Sequence, residues 1–414
     1  MTETAVKDLP VTEVSFSANA PVFVKKIDTY TCDRAILVSI ITDAMETFGF
    51  TKAFLCGKKV AVKPNLVMKK PAEAAATTHP AILDALLTYL DSCDCADIVI
   101  AESMGGPYTE AALRSVYAGC GIDKAVSGHR ARLNYDVTAG TLSAPDGVVS
   151  KMFDIITPII QADVIINLCK LKSHSLTRMS GAIKNTFGTI PGLTKFEYHA
   201  RFSDYTDFNR VLVDLSEMLH RHAVMLDLCD AVIGMEGNGP TGGVPRKIGC
   251  ILASRNPFAL DTVASALLSC EHDVPMISEA ESRGFCPHNA EEVPCIGDDW
   301  HPLVLSDFAP PDTAHTGRNP LHWLPKLFDG KLYRWFSPRP VIRTSTCLGC
   351  GECARSCPVH TIEMQKSKDG SGKKKAFIHP DACIRCFCCQ ELCPYHSVDI
   401  RKNPIMQLLS KLGL

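Results

Sequence analysis

Two stretches of the chain carry the same arrangement of thiols. Cys347, Cys350, Cys353 and Cys357 run C-x2-C-x2-C-x3-C and meet Pro358, and Cys383, Cys386, Cys389 and Cys393 repeat the run before Pro394. Thiolates so spaced are soft ligands for iron–sulfur clusters or zinc. Zinc favours two separated C-x2-C pairs, whereas here three cysteines at i, i+3 and i+6 converge and the whole pattern recurs, which favours iron–sulfur chemistry. Residues 347–364 align without gaps on 383–400 at an offset of 36, and His360 falls on His396. Cys388 aligns with Glu352, which is no ligand, and is expected to be a spectator. The two histidines are expected at the solvent edge or as hydrogen-bonding neighbours of a cluster.

The run resembles that of bacterial two-cluster ferredoxins, in which the fourth cysteine of each run ligates the other cluster. The resemblance implies two 4Fe-4S clusters, one on Cys347, Cys350, Cys353 and Cys393, the other on Cys383, Cys386, Cys389 and Cys357. Strands are expected at 361–364 and 376–379. A unit this small buries only a marginal core, so cofactors must contribute to its folding. An oxidised cubane with its thiolates carries about −2, which takes the formal charge from −2 to about −6. The lysine-rich loop 365–375 reads as a solvated turn that could also steer an acidic partner.

The rest must position something for those clusters to serve. From residue 22 to 297, apolar runs alternate with helical patterns, the mark of an α/β domain with a mostly parallel sheet flanked by helices. Strands are expected at 59–62, 97–101, 163–168, 231–235 and 247–253, and helices at 33–47, 80–90, 206–220 and 257–268. Polar residues gather just beyond the strands: Lys63 and Asn65, Glu102 and Ser103, Lys170, Lys172 and His174, Glu236 and Asn238. In open α/β sheets ligands bind outside the carboxyl ends of strands. Lys184 and Asn185 would join from a short helix beginning near Ser175. Such a pocket favours an anion, a carboxylate or phosphate. Lys63, Lys170, Lys172 and His174 are the candidates for binding the anion, with His174 or a lysine to protonate it, and Asn65, Lys184, Asn185, Glu236 and Asn238 complete the ligand- or cofactor-binding set by orienting it. The bland alternative is a scaffold: strand-end lysines are often merely solvated, and Thr78 is a natural N-cap that leaves His79 at the surface.

These motifs, from Lys63-Pro64-Asn65 through Lys170-Leu171-Lys172-Ser173-His174 and Gly181-Ala182-Ile183-Lys184-Asn185 to Glu236-Gly237-Asn238-Gly239-Pro240, resemble the domain-of-unknown-function 362 family. The resemblance implies an α/β domain fused to ferredoxin-type clusters and supplies no reaction. Gly237 to Gly242 match G-x-G-x-x-G, but a strand pattern follows where a dinucleotide site requires a helix, so a Rossmann nicotinamide site is rejected. No P-loop occurs. Whether a flavin or other organic cofactor intervenes stays open.

Composition bounds the remaining possibilities. With 46% hydrophobic residues, 27 glycines and 26 prolines in 414, the chain is neither disordered nor low-complexity. Forty-three basic against 45 acidic side chains argue against a nucleic-acid binder. No signal-like start and no long apolar run appear, so a cytoplasmic protein without a transmembrane segment is expected. The organisation read from sequence is an α/β domain over 1–299, a linker rich in Pro and Trp over 300–342, a two-cluster domain over 343–402 and a tail. The aromatics of 321–336 would dock the tail domain. The expected function is electron transfer between a redox partner protein and an anionic ligand or cofactor, an oxidoreductase in outline. The alternative is a dedicated electron carrier or assembly factor whose α/β domain docks a client.

Overall fold

The computed structural model describes residues 16, 19–313, 337–367 and 372–402. Its strands follow the apolar runs: β1 (Val22–Lys26), β2 (Lys59–Pro64), β3 (Asp97–Ile100), β4 (Arg132–Leu133), β5 (Ala139–Ser143), β6 (Met152–Ile156), β7 (Val164–His174), β8 (Arg178–Ser180), β9 (Val224–Glu236), β10 (Val244–Ser254) and β11 (Cys295–Gly297). Nine of them form one sheet in the order β11-β1-β10-β9-β7-β2-β3-β4, with β8 beside β7. From β9 through β7, β2 and β3 to β4 every pairing is parallel. β10 runs antiparallel to both neighbours. The reason is local: only residues 237–243 separate β9 from β10, too few for a helical crossover.

Helices cover both faces, so β7 is buried along its whole length. Leu37 and Ile41 of the helix Arg34–Thr47 and Leu83 and Leu86 of Pro80–Asp91 pack on Val60, Val62, Ile166 and Leu168. On the other face Val211 and Leu215 of Tyr205–His222 and Phe258 and Val263 of Pro257–Leu267 pack on Ile165, Cys229 and Leu252. Each such fully buried side chain contributes about 1.5–3 kcal/mol relative to exposure. Seven cysteines of this domain, Cys93, Cys95, Cys120, Cys169, Cys229, Cys250 and Cys286, are buried free thiols and act as small hydrophobes.

Local details differ from the sequence reading. The helix Pro80–Asp91 is capped by His79, whose Nδ1 accepts the Ala81 N–H, because Pro80 occupies the first turn. Thr78 is buried, its hydroxyl accepting from Asn65 N and donating to Leu168 O. His79 is half-buried and stacks on Tyr30 at 3.7 Å. No helix starts near Ser175: the chain turns back into β8, and the short helix begins at Ala182. Trp300 packs into the main core, whereas Trp323, Trp335 and the segment 321–336 lie outside the described residues, as does the tail from 403.

The C-terminal unit pairs β12 (Arg339–Ile342) with β15 (Val398–Arg401) and β13 (Ile362–Lys366) with β14 (Lys374–Ile378), all antiparallel. The strand after each cysteine run therefore pairs with the strand before the other run, which ties the two repeats together.

Candidate functional site: a cationic crevice roofed by the cysteine domain

β2, β3 and β7 end side by side, and beyond them opens a crevice lined by Lys63, Asn65, Glu102, Lys172, His174 and Lys184. Lys195, Phe196 and His199 of the helix Thr194–Arg201 close one side, and Cys388, Glu391 and Leu392 of the cysteine domain form the roof. The enclosed space is about 70 Å³, room for a small anion or a few waters. Its walls hold more ammonium groups than carboxylates can neutralise.

Lys63 is compensated: 1% exposed, its Nζ donates to Glu102 Oε2 at 2.8 Å, Asn185 Oδ1 at 3.1 Å and Pro64 O at 3.0 Å. Gly188 is required beside this pair, since a Cβ there would run into Glu102 and Lys63. Among the described residues Lys172 has no carboxylate partner. Its Nζ donates to Asn65 Oδ1 at 3.1 Å and to the Ala76 carbonyl, and burial pulls its pKa down to about 7. Lys195 donates only to Ser103 and to the Met104 carbonyl, and burial lowers it likewise to about 7. Lys184, lowered by burial, reaches over the Phe187 ring at 4.6 Å and has no carboxylate partner among the described residues.

His174 adds a donor. Its Nδ1 accepts the N–H of Leu176 at 3.1 Å and of Thr177 at 3.4 Å, which places the remaining hydrogen on Nε2. That Nε2 is buried without a partner among the described residues. Burial holds the ring well below the usual histidine pKa, hence neutral. His199, stacked on Phe208 at 4.3 Å, is lowered to about 3, again chiefly by burial.

Three of the sequence candidates stand elsewhere. Lys170 does not line the crevice; its Nζ lies 2.9 Å from Asp230 Oδ2 and 2.7 Å from the Tyr30 hydroxyl, a closed buried ion pair. The cause is a ladder irregularity between Lys170 and Lys172, across which β9 advances from Asp230 to Met235. Glu236 accepts the Ala309 N–H. Asn238 exchanges two hydrogen bonds with Asp312. Both fasten the chain leaving the α/β domain. Lys195 and His199 were not anticipated from sequence, although their i, i+4 spacing beside Phe196 puts them on one helix face.

Behind the crevice runs a buried polar chain. His220 donates from Nδ1 to Ser216 O and meets Asp227 Oδ2 at 2.8 Å through Nε2. Asn167 Nδ2 donates to Asp227 Oδ1 at 2.6 Å, Asn185 Nδ2 to Asn167 Oδ1 at 2.8 Å, and Asn185 Oδ1 receives Lys63.

In the cysteine domain all eight motif thiols are free. The Cys353 thiol is pushed up to about 11 by burial and then by its neighbours Cys393, Cys350 and Cys347. Cys389 is raised by burial and then by Cys386, Cys383, Cys353 and Cys357. Each thiol triplet thus has the last cysteine of the other run beside it. Among the described residues no three His, Cys, Asp or Glu side chains are spaced to share one metal ion, whereas a cubane spans more widely separated sulfurs. Thr361 N–H donates to Cys357 Sγ at 3.3 Å and Ser397 N–H to Cys393 Sγ at 3.2 Å, one bond per repeat, of the kind that tunes cluster potential. His360 and His396 both adopt positive φ, 50° and 48°, in the turn after each run. Lys70 of the α/β domain reaches His396 Nε2 at 2.8 Å. Cys388, buried, packs with Phe196 and Leu392.

Comparison with known proteins agrees with this division. Residues 346–397 match the model of a 4Fe-4S dicluster domain. A thylakoid-associated protein of Synechocystis sp. is 37% identical over 134 residues, 32% of this chain and 41% of that protein, so the match spans about two fifths of the relative. Among solved structures, the lactate racemase apoprotein of Thermoanaerobacterium thermosaccharolyticum has a TM-score of 0.39 at 13% identity, covering 65% of this chain and 60% of that one. A Thermotoga maritima protein of known crystal structure gives 0.35 at 12%, covering 62% and 60%. No helix among the described residues is long and apolar enough to cross a membrane. Residues 60–266, half of the chain, match the model of the domain of unknown function 362, and the chain belongs to that family.

Proposed function

We propose that the chain is an iron–sulfur redox protein that exchanges single electrons between a partner protein and a small anion held in the crevice. Two 4Fe-4S clusters, on Cys347, Cys350, Cys353 and Cys393 and on Cys383, Cys386, Cys389 and Cys357, would supply one-electron chemistry. The observation that carries the reading is the imbalance of charge: among the described residues, Lys172, Lys184 and Lys195 converge without a carboxylate partner of their own, beside the unpaired Nε2–H of His174. Buried cations left so are costly, and an anion relieves the cost.

The residues then divide the work. Lys184 and Lys172 bind the anion, and His174 Nε2–H orients one of its oxygens by donating a hydrogen bond. Lys172, with a pKa near 7, can release a proton to a ligand that gains an electron, so that charge does not accumulate in a dry site. Lys63, locked by Glu102 and Asn185, is a fixed positive wall. Leu392 and Cys388 exclude water from the roof.

Anaerobically purified protein, analysed by mass spectrometry for released small molecules, tests this. A carboxylate, phosphate or similar anion should be recovered from the native chain and lost from Lys172→Met and Lys184→Met, with the visible spectrum unchanged. Equal ligand content in all three proteins, or turnover only with a second enzyme present, would favour a dedicated carrier.

A further inference from the structure

The two cysteine runs are related by sequence but face different surroundings. The second is turned inward: Cys388 and Leu392 pack on Phe196, the Gln390 amide donates to Asn238 O, and Thr241 donates to Glu391 O at 2.6 Å. The first is turned outward. Cys350 is exposed, and Leu348 and Tyr395, 61% and 47% exposed, border the same cavity as Cys347, Cys350 and Cys393. Around this apolar patch stand cations. Lys375 Nζ donates to Thr344 O and the backbone of Lys374 lies against Gly349, while Arg355, whose Nη1 donates to Cys350 O, is paired with Glu352 at 2.6 Å. Residues 343–402 carry ten Lys and Arg against six Asp and Glu, an excess that two oxidised cubanes at about −2 each would offset, so the cationic character is local to the Lys374–Lys375 rim.

We infer that the Leu348–Tyr395 patch is the docking surface for an acidic electron-carrier protein, so that electrons enter at the Cys347–Cys353 side and leave for the crevice from the Cys383–Cys389 side. An exposed apolar centre with a charged rim is the usual anatomy of a transient interface, and charge complementarity sets its association rate. One electron passes per encounter: the carrier is oxidised and the outer cysteine-bound group reduced, with no bond made or broken. The inward half of the path rests on the crevice reading above; the docking half does not.

The test uses the full-length holoprotein and a reduced plant-type ferredoxin as the acidic probe, followed by stopped-flow. The rate of reduction should fall with rising salt. Leu348→Glu and Lys374→Glu should each slow it at least tenfold, while reduction by dithionite, iron content and electron paramagnetic resonance spectra stay as in the native chain. Lys124→Glu, an exposed charge change on the α/β domain, should have no effect. Unchanged rates in both patch variants, an equal loss in Lys124→Glu, or a native dimer that Leu348→Glu dissociates would overturn the docking surface. For the inward half, sulfate should perturb the resonance signal that Cys386→Ser abolishes and not the one that Cys350→Ser abolishes; the reverse pattern overturns the polarity. Sulfate silence at both signals, with the docking results intact, would remove the crevice reading and leave the port standing.

Discussion

The Gln390 side-chain amide stands 3.1 Å from the backbone carbonyl of Asn238, joining the cysteine domain to the turn between β9 and β10. Its oxygen lies 3.3 Å from Ser175 Oγ, whose hydrogen goes to the Gly239 carbonyl at 2.7 Å, so the amide itself supplies the bond between the domains. Gln390→Ala removes that bond at a cost of about 1 kcal/mol. Hydrogen–deuterium exchange across 237–243 should rise severalfold in the variant, while exchange in β7 stays as it was.

Cross-ligation makes a distinctive prediction for the cysteines. Cys357→Ala should damage the group held by Cys383, Cys386 and Cys389 and spare its own sequence neighbours. Iron analysis should fall from about eight per chain toward about four, with Mössbauer spectroscopy retaining one intact cubane. Cys388→Ala should keep full iron content. Stoichiometric zinc in anaerobically isolated protein would contradict both.

Among the described residues, Glu102 is the sole carboxylate in contact with Lys63. Glu102→Ala strands a buried ammonium and should cost about 3–5 kcal/mol. Lys63→Met with Glu102→Leu removes both charges and should recover most of that loss. Thermal denaturation under argon separates the two outcomes, and Gly188→Ala should resemble Glu102→Ala because its methyl group pushes the pair apart.

The crevice should respond to pH. Folding lowers the Lys172 pKa from 10.5 to about 7. Between those values the unfolded chain holds a proton that the folded chain lacks, so this lysine's contribution to stability rises with pH across the window and is flat below about 7. Anion binding has the opposite sense, since it needs the ammonium. Sulfate, whose charge is constant here, should bind more weakly as pH climbs through about 7, and calorimetry should find much of that slope gone in Lys172→Met.

Sequence periodicity located the elements well where both faces of the sheet are covered: β2, β7 and β10 and the helices Arg34–Thr47, Pro80–Asp91, Tyr205–His222 and Pro257–Leu267 all fall on the expected runs, whereas of β9 only the end, 231–235, was expected and the stretch 224–230, which pairs with β7, was not. What it missed has physical reasons. β7 runs on through Lys170, Lys172 and His174 because Asp230 pairs Lys170, Asn65 receives Lys172 and backbone N–H groups occupy His174 Nδ1, partners that no local pattern reveals. Placing Lys170 and Lys172 together assumed an unbroken ladder, and the irregularity opposite β9 separates them. Lys195 was invisible because its helix, Thr194–Arg201, is short and mostly polar. The contrast between Cys388 and Glu352 was legible as a broken match in the repeat, though the roof it helps to form depends on how the two domains meet.

The polar chain behind the crevice has a direction. Asn167 spends its amide hydrogens on Asp227 and the Ala182 carbonyl, so its oxygen must receive Asn185, whose own oxygen must then face Lys63. Two amide dipoles are thereby aligned head to tail, negative ends toward the ammonium, and neither can flip without setting N–H against N–H. The rear wall is therefore permanently poled: a neutral change at Asp227 would remove one acceptor of Asn167, but the Ala182 carbonyl at one end and the Lys63 ammonium at the other would still fix the sense of both amides.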